Sequence, residues 1–155
     1  MFKEINSLQN SRIKHIIQIK EKSRIRKKDG IFLIEGKKEL NLAIKNGYKI
    51  KTIFCNLKLC GSEIDSYINS QAEIISVSNK IYEKIAYRGS TEGLVAISES
   101  KSHLLKDIEI KNKNPLILVA ESIEKPGNIG ALIRTADAAN IDALIIADSR
   151  TEIYN

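Results

Sequence analysis

The segment from Glu121 to Ala138 holds the residues of this 155-residue chain that are best suited to chemistry. Pro126-Gly127 predicts a tight turn after a strand, and Asn128 is predicted to cap the helix that follows. The free N–H groups at the start of such a helix can bind an anion. Arg134 lies one to two turns further along and is a suitable phosphate ligand. The pattern lacks the G-x-G-x-x-G dinucleotide fingerprint, so a solvated arginine and a simple helix cap remain alternatives.

Predicted strands alternate with predicted helices around this segment. The strands are Ile31–Ile34, Ile50–Cys55, Glu73–Val77, Gly93–Ile97, Leu116–Ala120 and Ala143–Ala147. Helices are predicted from Asn10 or Ser11, Lys37, Ser62, Ser78 and Asn128, the last ending at Asn140 in a left-handed conformation. The alternation predicts βαβ units and a sheet covered by helices on both faces. The stretch 24–30 is too charged to belong to the core and closes on a turn.

The charge of the chain is concentrated at its N-terminus. The chain has 25 basic and 19 acidic residues, and the first thirty residues alone hold nine basic and three acidic ones. Such a cluster is typical of a protein that binds a polyanion. The alternative is a solvated basic helix that favours solubility. Nucleic acid is the commonest polyanion partner, and its candidate ligands are Arg12, Lys14, Arg24, Arg26, Lys27, Lys28 and Arg88. Tyr87, next to Arg88 in a predicted loop, is either a stacking surface for a base or a plain loop tyrosine.

Several classes of protein are excluded by composition. Two cysteines, Cys55 and Cys60, cannot form a disulfide framework, and we interpret them as small buried hydrophobic residues in a reducing compartment. The two histidines and two cysteines are scattered, so we expect no metal site. No apolar run approaches the roughly 18 residues of a membrane span, and the first residues carry no secretory signal. We therefore expect a cytoplasmic protein with no membrane partner.

A charged stretch divides the chain. We predict a first α/β domain at 1–106, a linker at 107–114 and the beginning of a second α/β domain at 115–155. The β-α-β unit of 115–155 is too small to bury both faces of its strands. It either packs on the first domain, is completed by another chain, or is the front of a longer domain, which is the interpretation we favour.

The chain resembles the SpoU/TrmH family of RNA ribose 2′-O-methyltransferases, within the SPOUT superfamily. The resemblance lies first in Pro126-Gly127-Asn128-Ile129-Gly130-Ala131, Arg134-Thr135-Ala136-Asp137-Ala138 and the strand after Asp142, which fit the first motif of the family in one register. Three further segments are similar to its substrate-binding domain, Ser7–Lys14, Phe32–Gly36 and Gly93–Ile97, so the resemblance implies that 1–106 is an RNA substrate-binding domain. The fold that this implies is a small ribosomal-protein-like α/β sandwich, followed by the start of a trefoil-knot parallel-sheet domain truncated before the knot.

The resemblance also implies a reaction. A methyl group would pass from S-adenosylmethionine to a ribose 2′-hydroxyl of RNA, with rRNA favoured over tRNA and a homodimer as the complete enzyme. Asn128 and Arg134 match the active-site residues of the family. The two motifs that supply most cofactor contacts are absent, so cofactor-binding residues are expected beyond Asn155 and the chain itself is expected to be inactive. The alternatives are a non-catalytic RNA-binding protein and an anion-binding α/β protein that uses the start of the 128–134 helix.

Overall fold

The computed structural model describes residues 2–68, 70–87 and 92–154, which divide after Lys101 into two units. Within these residues no helix is long and apolar enough to cross a membrane.

The first unit is built on a mixed five-stranded sheet. Its strands are β1 (Lys3–Ile5), β2 (Ile31–Glu35), β3 (Ile50–Cys55), β4 (Glu73–Val77) and β5 (Leu94–Glu99), in the order β1-β4-β3-β5-β2. The pairs β1–β4 and β3–β4 are parallel, whereas β5 is antiparallel to both β3 and β2. The four strands predicted here are confirmed. The sequence missed β1, because it has three residues and only one of them, Ile5, is buried.

Helices cover both faces of this sheet, as predicted. They are α1 (Ser11–Glu21), α2 (Ser23–Asp29), α3 (Lys37–Lys45), α4 (Leu57–Cys60), a 3-10 helix (Gly61–Tyr67) and α5 (Asn79–Ile85). One apolar cluster joins α1 and α5 to the sheet, and a second joins α3, α4 and the 3-10 helix to it. Asn10 caps α1 by accepting the N–H of Arg12 at 2.9 Å, which confirms the predicted start of that helix.

The prediction that the stretch 24–30 is too charged for the core is wrong at Arg26. The stretch forms α2, and Arg26 is only 5% exposed. Its Nη1 donates to the carbonyls of Ile19 at 2.8 Å and Lys20 at 3.2 Å. The last carbonyls of a helix have no partner within it, and a guanidinium supplies donors to them. Arg26 is therefore buried because it caps α1.

The helix predicted from Ser62 begins earlier than expected. Asn56 is 2% exposed, and its side chain accepts the N–H of Lys58 at 3.0 Å, so α4 starts at Leu57 and the 3-10 helix continues from it. Cys55 and Cys60 lie at this junction and are buried, as predicted. Burial raises the pKa of the Cys55 thiol to about 12, so it stays protonated near neutral pH.

The second unit is a single β-α-β unit after a 3-10 turn at Leu105–Asp107. Strands β6 (Ile117–Glu121) and β7 (Ala143–Ala147) are parallel and flank α6 (Pro126–Ala138) in sequence. Asn140 has a φ of 51°, and the N–H of Ile141 donates to the carbonyl of Ala136 at 3.2 Å. This pair ends α6 in the left-handed conformation that the sequence predicts.

The second unit leaves its strands largely uncovered. Leu116 is 59% exposed and Val119 is 61% exposed. Among the residues described in this unit, only Ile129 and Ala136 are buried. This agrees with the prediction that a unit of this size cannot bury both faces of its strands.

Gly93 provides a test of the packing at the start of β5. It has a φ of +70°, and a Cβ there would lie 2.7 Å from the backbone N of Cys60 and 2.9 Å from the carbonyl of Asn56. Gly30 is a matched control, because its φ is +61° but its nearest neighbour would be 3.8 Å away. We expect Gly30→Ala to cost about 1 kcal/mol for the left-handed backbone. Gly93→Ala should cost about 2 kcal/mol more, because the backbone must also shift. Urea unfolding of both variants measures the difference, and equal losses would contradict it.

Candidate functional site

Helix α6 begins three residues earlier than the predicted cap at Asn128 implies. Pro126 occupies its first position and Lys125 precedes it, without a side-chain cap. The prediction that Asn128 caps this helix is therefore wrong, because Asn128 is the third helical residue. Proline suits the first helical position, since its fixed φ is helical and it has no N–H to leave unpaired. Pro126-Gly127 is thus the first turn of α6 rather than a separate tight turn.

The start of α6 has few N–H groups left for an anion. Pro126 has none, and the N–H groups of Asn128 and Ile129 donate to the carbonyl of Lys125 at 3.0 Å and 3.4 Å. This lowers the capacity that the sequence predicted for anion binding at this helix start. Any anion near α6 therefore depends mainly on its side chains.

Asn128 and Arg134 are both exposed on α6. Six residues of helix separate them by about 9 Å along the axis and by about 120° around it. No hydrogen bond joins the two side chains in the described part of the chain. The Arg134 guanidinium folds back along the helix, so that a Cβ on Gly130 would lie 3.4 Å from its Nη1. The structure thus gives two separate polar groups, and a ligand would have to bridge them.

The carboxyl ends of β6 and β7 form a second polar cluster, which the sequence analysis missed. Ser122 and Asp148 follow these strands with φ values of 53° and 44°. The Ser122 hydroxyl donates to the Asp148 carboxylate at 3.0 Å, and its N–H donates to the carbonyl of Ala147 at 3.0 Å. Such backbone is strained for residues other than glycine, and parallel sheets bind ligands at this edge. A polar residue directly after each apolar strand was the available signal.

The loops beyond this edge are tied together as well. The Arg150 guanidinium contacts the Glu124 carboxylate at 3.0 Å, and the Arg150 N–H donates to the carbonyl of Ile123 at 3.2 Å. Both charged side chains are more than 60% exposed, so the pair adds little stability. Its effect is to hold the loop before α6 next to the loop after β7.

The predicted RNA ligands of the first unit are in different environments. Arg12 forms an ion pair with Glu73, and Arg26 is buried against α1. Arg88 lies outside the described residues. The remaining four side chains are exposed and make no hydrogen bond or ion pair within the described residues: Lys14, Arg24, Lys27 and Lys28. The last three are at i, i+3 and i+4 of α2 and share one face, which we call the α2 stripe.

A second basic surface lies on α3. An open groove of about 420 Å³ is lined by Lys37, Lys38, Asn41, Leu42, Lys45 and Glu92. Lys37 pairs with Glu63, and this hydrogen bond raises the pKa of Lys37. Lys38 and Lys45 make no ion pair within the described residues. The groove is therefore a weaker cationic surface than the α2 stripe, because Glu63 and Glu92 offset part of its charge. No group of three or more His, Cys, Asp or Glu side chains among the described residues is placed to hold a metal.

Two protein-family models match this chain in succession. Residues 10–96 match the MRM3-like substrate binding domain, and residues 115–155 match the SpoU rRNA Methylase family. The first match alone spans more than half of the chain.

Individual relatives agree with these matches. The chain is 25% identical over 153 residues to the 23S rRNA (guanosine(2553)-2′-O)-methyltransferase RlmP of Bacillus subtilis, which covers 99% of this chain and 58% of the relative. An rRNA methyltransferase from Sinorhizobium meliloti has 27% identity and a TM-score of 0.83, covering 99% of this chain and 57% of that one. Its AdoMet-bound structure has 26% identity, the same TM-score and the same two coverages.

The chain spans somewhat more than half the length of these relatives. Its mixed α/β fold, with three parallel and two antiparallel strand pairs, matches theirs over nearly all of its residues. The family models, the relatives and the fold agree: the chain belongs to the SpoU rRNA methylase family and carries an MRM3-like substrate-binding domain at residues 10–96.

Proposed function

We propose that this chain is the substrate-binding domain and the first part of the catalytic domain of an S-adenosylmethionine-dependent rRNA ribose 2′-O-methyltransferase. The observation that carries this proposal is the succession of the two family matches, at 10–96 and 115–155, in one chain. The residues that neither model matches include the linker that we place at 107–114, between domains at 1–106 and 115–155. The name of the Bacillus subtilis relative supports rRNA rather than tRNA as the substrate.

Arg134 is the residue to which we assign activation of the 2′-hydroxyl. A guanidinium has five donors and no acceptor, so it cannot act as the base. It can hold a phosphate next to the reacting ribose and stabilise the negative charge that develops on the 2′-oxygen. Its exposure and its position over Gly130 leave the guanidinium free to reach such a phosphate.

Asn128 has a positioning role in this proposal. Its side-chain amide offers both a donor and acceptor lone pairs, so it can hydrogen-bond a ribose hydroxyl or a phosphate oxygen. The separation of Asn128 from Arg134 by about 9 Å along α6 fits two contacts to neighbouring groups of one nucleotide chain better than two contacts to one atom.

The residues described in the second unit do not by themselves fit S-adenosylmethionine. Val119 on β6 and Leu116 just before it are exposed by more than half, so this strand offers an open surface rather than an enclosed nucleoside pocket. At the carboxyl edge of the strands, the Ser122 hydroxyl already donates its hydrogen bond to the Asp148 carboxylate. We therefore assign the cofactor contacts to the part of the relatives' length that this chain does not match, and derive no step through the cofactor.

The same exposed strands bear on the partners of the complete enzyme. Val119 on β6 and Leu116 just before that strand are apolar and more than half exposed, so they need cover from further chain or from a second subunit. We propose a homodimer, located in the cytoplasm, for the complete enzyme.

The first unit is assigned to RNA binding, and the α2 stripe is its most suitable surface. Arg24, Lys27 and Lys28 are exposed on one helix face and have no acidic partner within the described residues. Arg12 and Arg26 are left out, because Glu73 and the end of α1 occupy their guanidinium groups. Contacts of this kind give affinity and salt dependence rather than sequence choice.

Substitution of Arg134 tests the catalytic assignment. In a protein that carries this sequence and the full length of the relatives, we expect Arg134→Ala to reduce methyl transfer about 100-fold. RNA affinity should change by less than about threefold. Arg134→Lys should recover only part of the rate, because an ammonium cannot contact a phosphate through two parallel bonds. Transfer of a radioactive methyl group to RNA measures the rate, and a neighbouring exposed helix residue, Thr135→Ala, serves as the control. Unchanged transfer in Arg134→Ala would contradict the assignment.

A charge-neutralised α2 stripe tests the RNA surface. We expect R24Q/K27Q/K28Q to weaken RNA binding about tenfold, and to make the slope of log K against log salt shallower by about 2, because three phosphate contacts are lost. The matched control is K38Q/K45Q/K58Q, which removes three exposed lysines from α3 and α4. Fluorescence polarisation with a labelled rRNA fragment at several salt concentrations gives both quantities. A larger loss in the control than in the α2 variant would move the RNA surface to the α3 groove.

The cofactor assignment predicts a negative result for the isolated 155 residues. We expect no saturable binding of S-adenosylmethionine at micromolar concentrations in a calorimetric titration, because β6 and β7 do not enclose a nucleoside. Saturable micromolar binding would show that the described residues suffice for the cofactor.

A further inference from the structure

Tyr87 presents a half-exposed aromatic ring that is fixed at both ends. The ring follows α5 and is 52% exposed. Its backbone N–H donates to a Glu35 carboxylate oxygen at 2.7 Å, and its hydroxyl donates to the carbonyl of Lys20 at 3.0 Å. A surface tyrosine usually keeps several orientations, whereas this one is held in one. Binding to the ring would therefore lose little conformational entropy.

Lys20 contributes a fixed positive charge beside this ring. Its Nζ lies 5.3 Å from the ring centroid, within the range of a cation–π contact. The same Nζ donates to the carbonyls of Lys84 and Ala86 at the end of α5. The Lys20 carbonyl that accepts the Tyr87 hydroxyl also accepts Nη1 of Arg26 at 3.2 Å. Tyr87, Lys20 and Arg26 thus form one network across the ends of α1 and α5.

The α2 stripe continues from this network. Arg24 is four residues after Lys20, and α2, with seven residues, is about 10 Å long. Arg26 is close enough to Tyr87 for its charge to lower the pKa of the phenol, against the larger opposing effect of burial. A rigid aromatic ring therefore adjoins the helix whose opposite side carries three unpaired cations. That combination is typical of surfaces that bind single-stranded nucleic acid.

We propose that Tyr87 is a stacking surface for an unpaired nucleobase of RNA, and that the α2 stripe, on the other side of α2, holds phosphates further along the same strand. The proposal rests on the proposed RNA-binding function of the first unit and adds that the ligand is a single-stranded region. Bases within a duplex are already stacked on their neighbours, so only a loop, bulge or strand end offers a free face to the ring. The stacking contact does not select one base over another, because every base has such a face.

The test compares leucine and aromatic substitutions at position 87 in the 155-residue chain. The probe is a labelled ten-nucleotide single-stranded RNA of mixed sequence, with its blunt duplex as the second probe. We expect Tyr87→Leu to weaken binding of the single strand about tenfold, and to leave both duplex binding and the salt slope unchanged, because no phosphate contact is lost. Tyr87→Phe should bind within about threefold of the original chain, since it keeps the ring.

Tyr48 provides the matched control. Its ring also lies beside a lysine, with Lys101 Nζ 4.6 Å from the centroid, but it adjoins α3 rather than α2. We expect Tyr48→Leu to bind both probes as the original chain does. An equal loss in Tyr48→Leu and Tyr87→Leu would overturn the proposal, because it would show a general effect of removing surface tyrosines.

Tyr87→Trp keeps the proposal testable if the leucine variant does not fold. The chain has no tryptophan, so the new side chain is a unique fluorescent probe. Stacking of a base should quench its emission with the single strand and not with the duplex, and no quenching by a bound single strand would overturn the proposal.

The outcomes distinguish a failure of the stacking surface from a failure of the RNA-binding role of the first unit. RNA binding that is lost in the α2 variant but unchanged in Tyr87→Leu overturns the stacking surface alone. An equal loss in Tyr87→Phe and Tyr87→Leu assigns the effect to the hydroxyl bond with Lys20, and also overturns it. Absence of RNA binding in the original chain overturns both this inference and the RNA-binding role of the first unit.

Discussion

The carbonyl groups at the end of a helix need donors from elsewhere, and in the first unit two cationic side chains supply them. Arg26 reaches back from α2 to the end of α1, and Lys20 reaches from α1 to the end of α5. These bonds join three helices on one side of the sheet, in addition to the apolar cluster that α1 and α5 share. They also determine which cations are available to bind RNA. Lys20 and Arg26 already donate to backbone carbonyls, whereas the side chains of the α2 stripe have no partner within the described residues. The placement of the proposed RNA surface follows from this division.

The second unit is held at both ends of its two strands and open across their faces. Asp142 accepts the N–H of Leu116 at 2.8 Å where the strands begin, and Ser122 binds Asp148 where they end. Polar contacts of this kind fix the register of β6 and β7 but bury little apolar surface. The geometry around α6 is therefore defined locally, by contacts that leave the apolar faces of its strands exposed.

The sequence predicted the elements well where an apolar pattern was strong. Every strand longer than three residues was identified, and the left-handed end of α6 at Asn140 was recognised from its residue type. The errors at two polar residues have different causes. Arg26 looked like a solvated charge, because nothing in the sequence shows that it reaches the carbonyls of α1. Asn128 looked like a cap, because asparagine favours that place, whereas Pro126 had already started the helix.

At the candidate site, too, the sequence did not show how the side chains are arranged in space. The spacing of Asn128 and Arg134 identified a motif, but it did not reveal that the two side chains are about 120° apart around α6. The Ser122–Asp148 contact joins residues 26 positions apart. It depends on β6 and β7 being neighbours in parallel register, which only the three-dimensional structure specifies.

Base identity is not selected by any of the surfaces assigned to RNA. In the proposed mode the α2 stripe would contact phosphates, which are the same for every nucleotide, and any base could stack on the Tyr87 ring. Glu35, the polar side chain next to that ring, already accepts the N–H of Tyr87. These groups can distinguish an unpaired region from a duplex, and that is selection by shape. Because Arg134 would also bind a phosphate, the choice of nucleotide in a complete enzyme has to come from other polar groups or from the folded shape of the RNA itself.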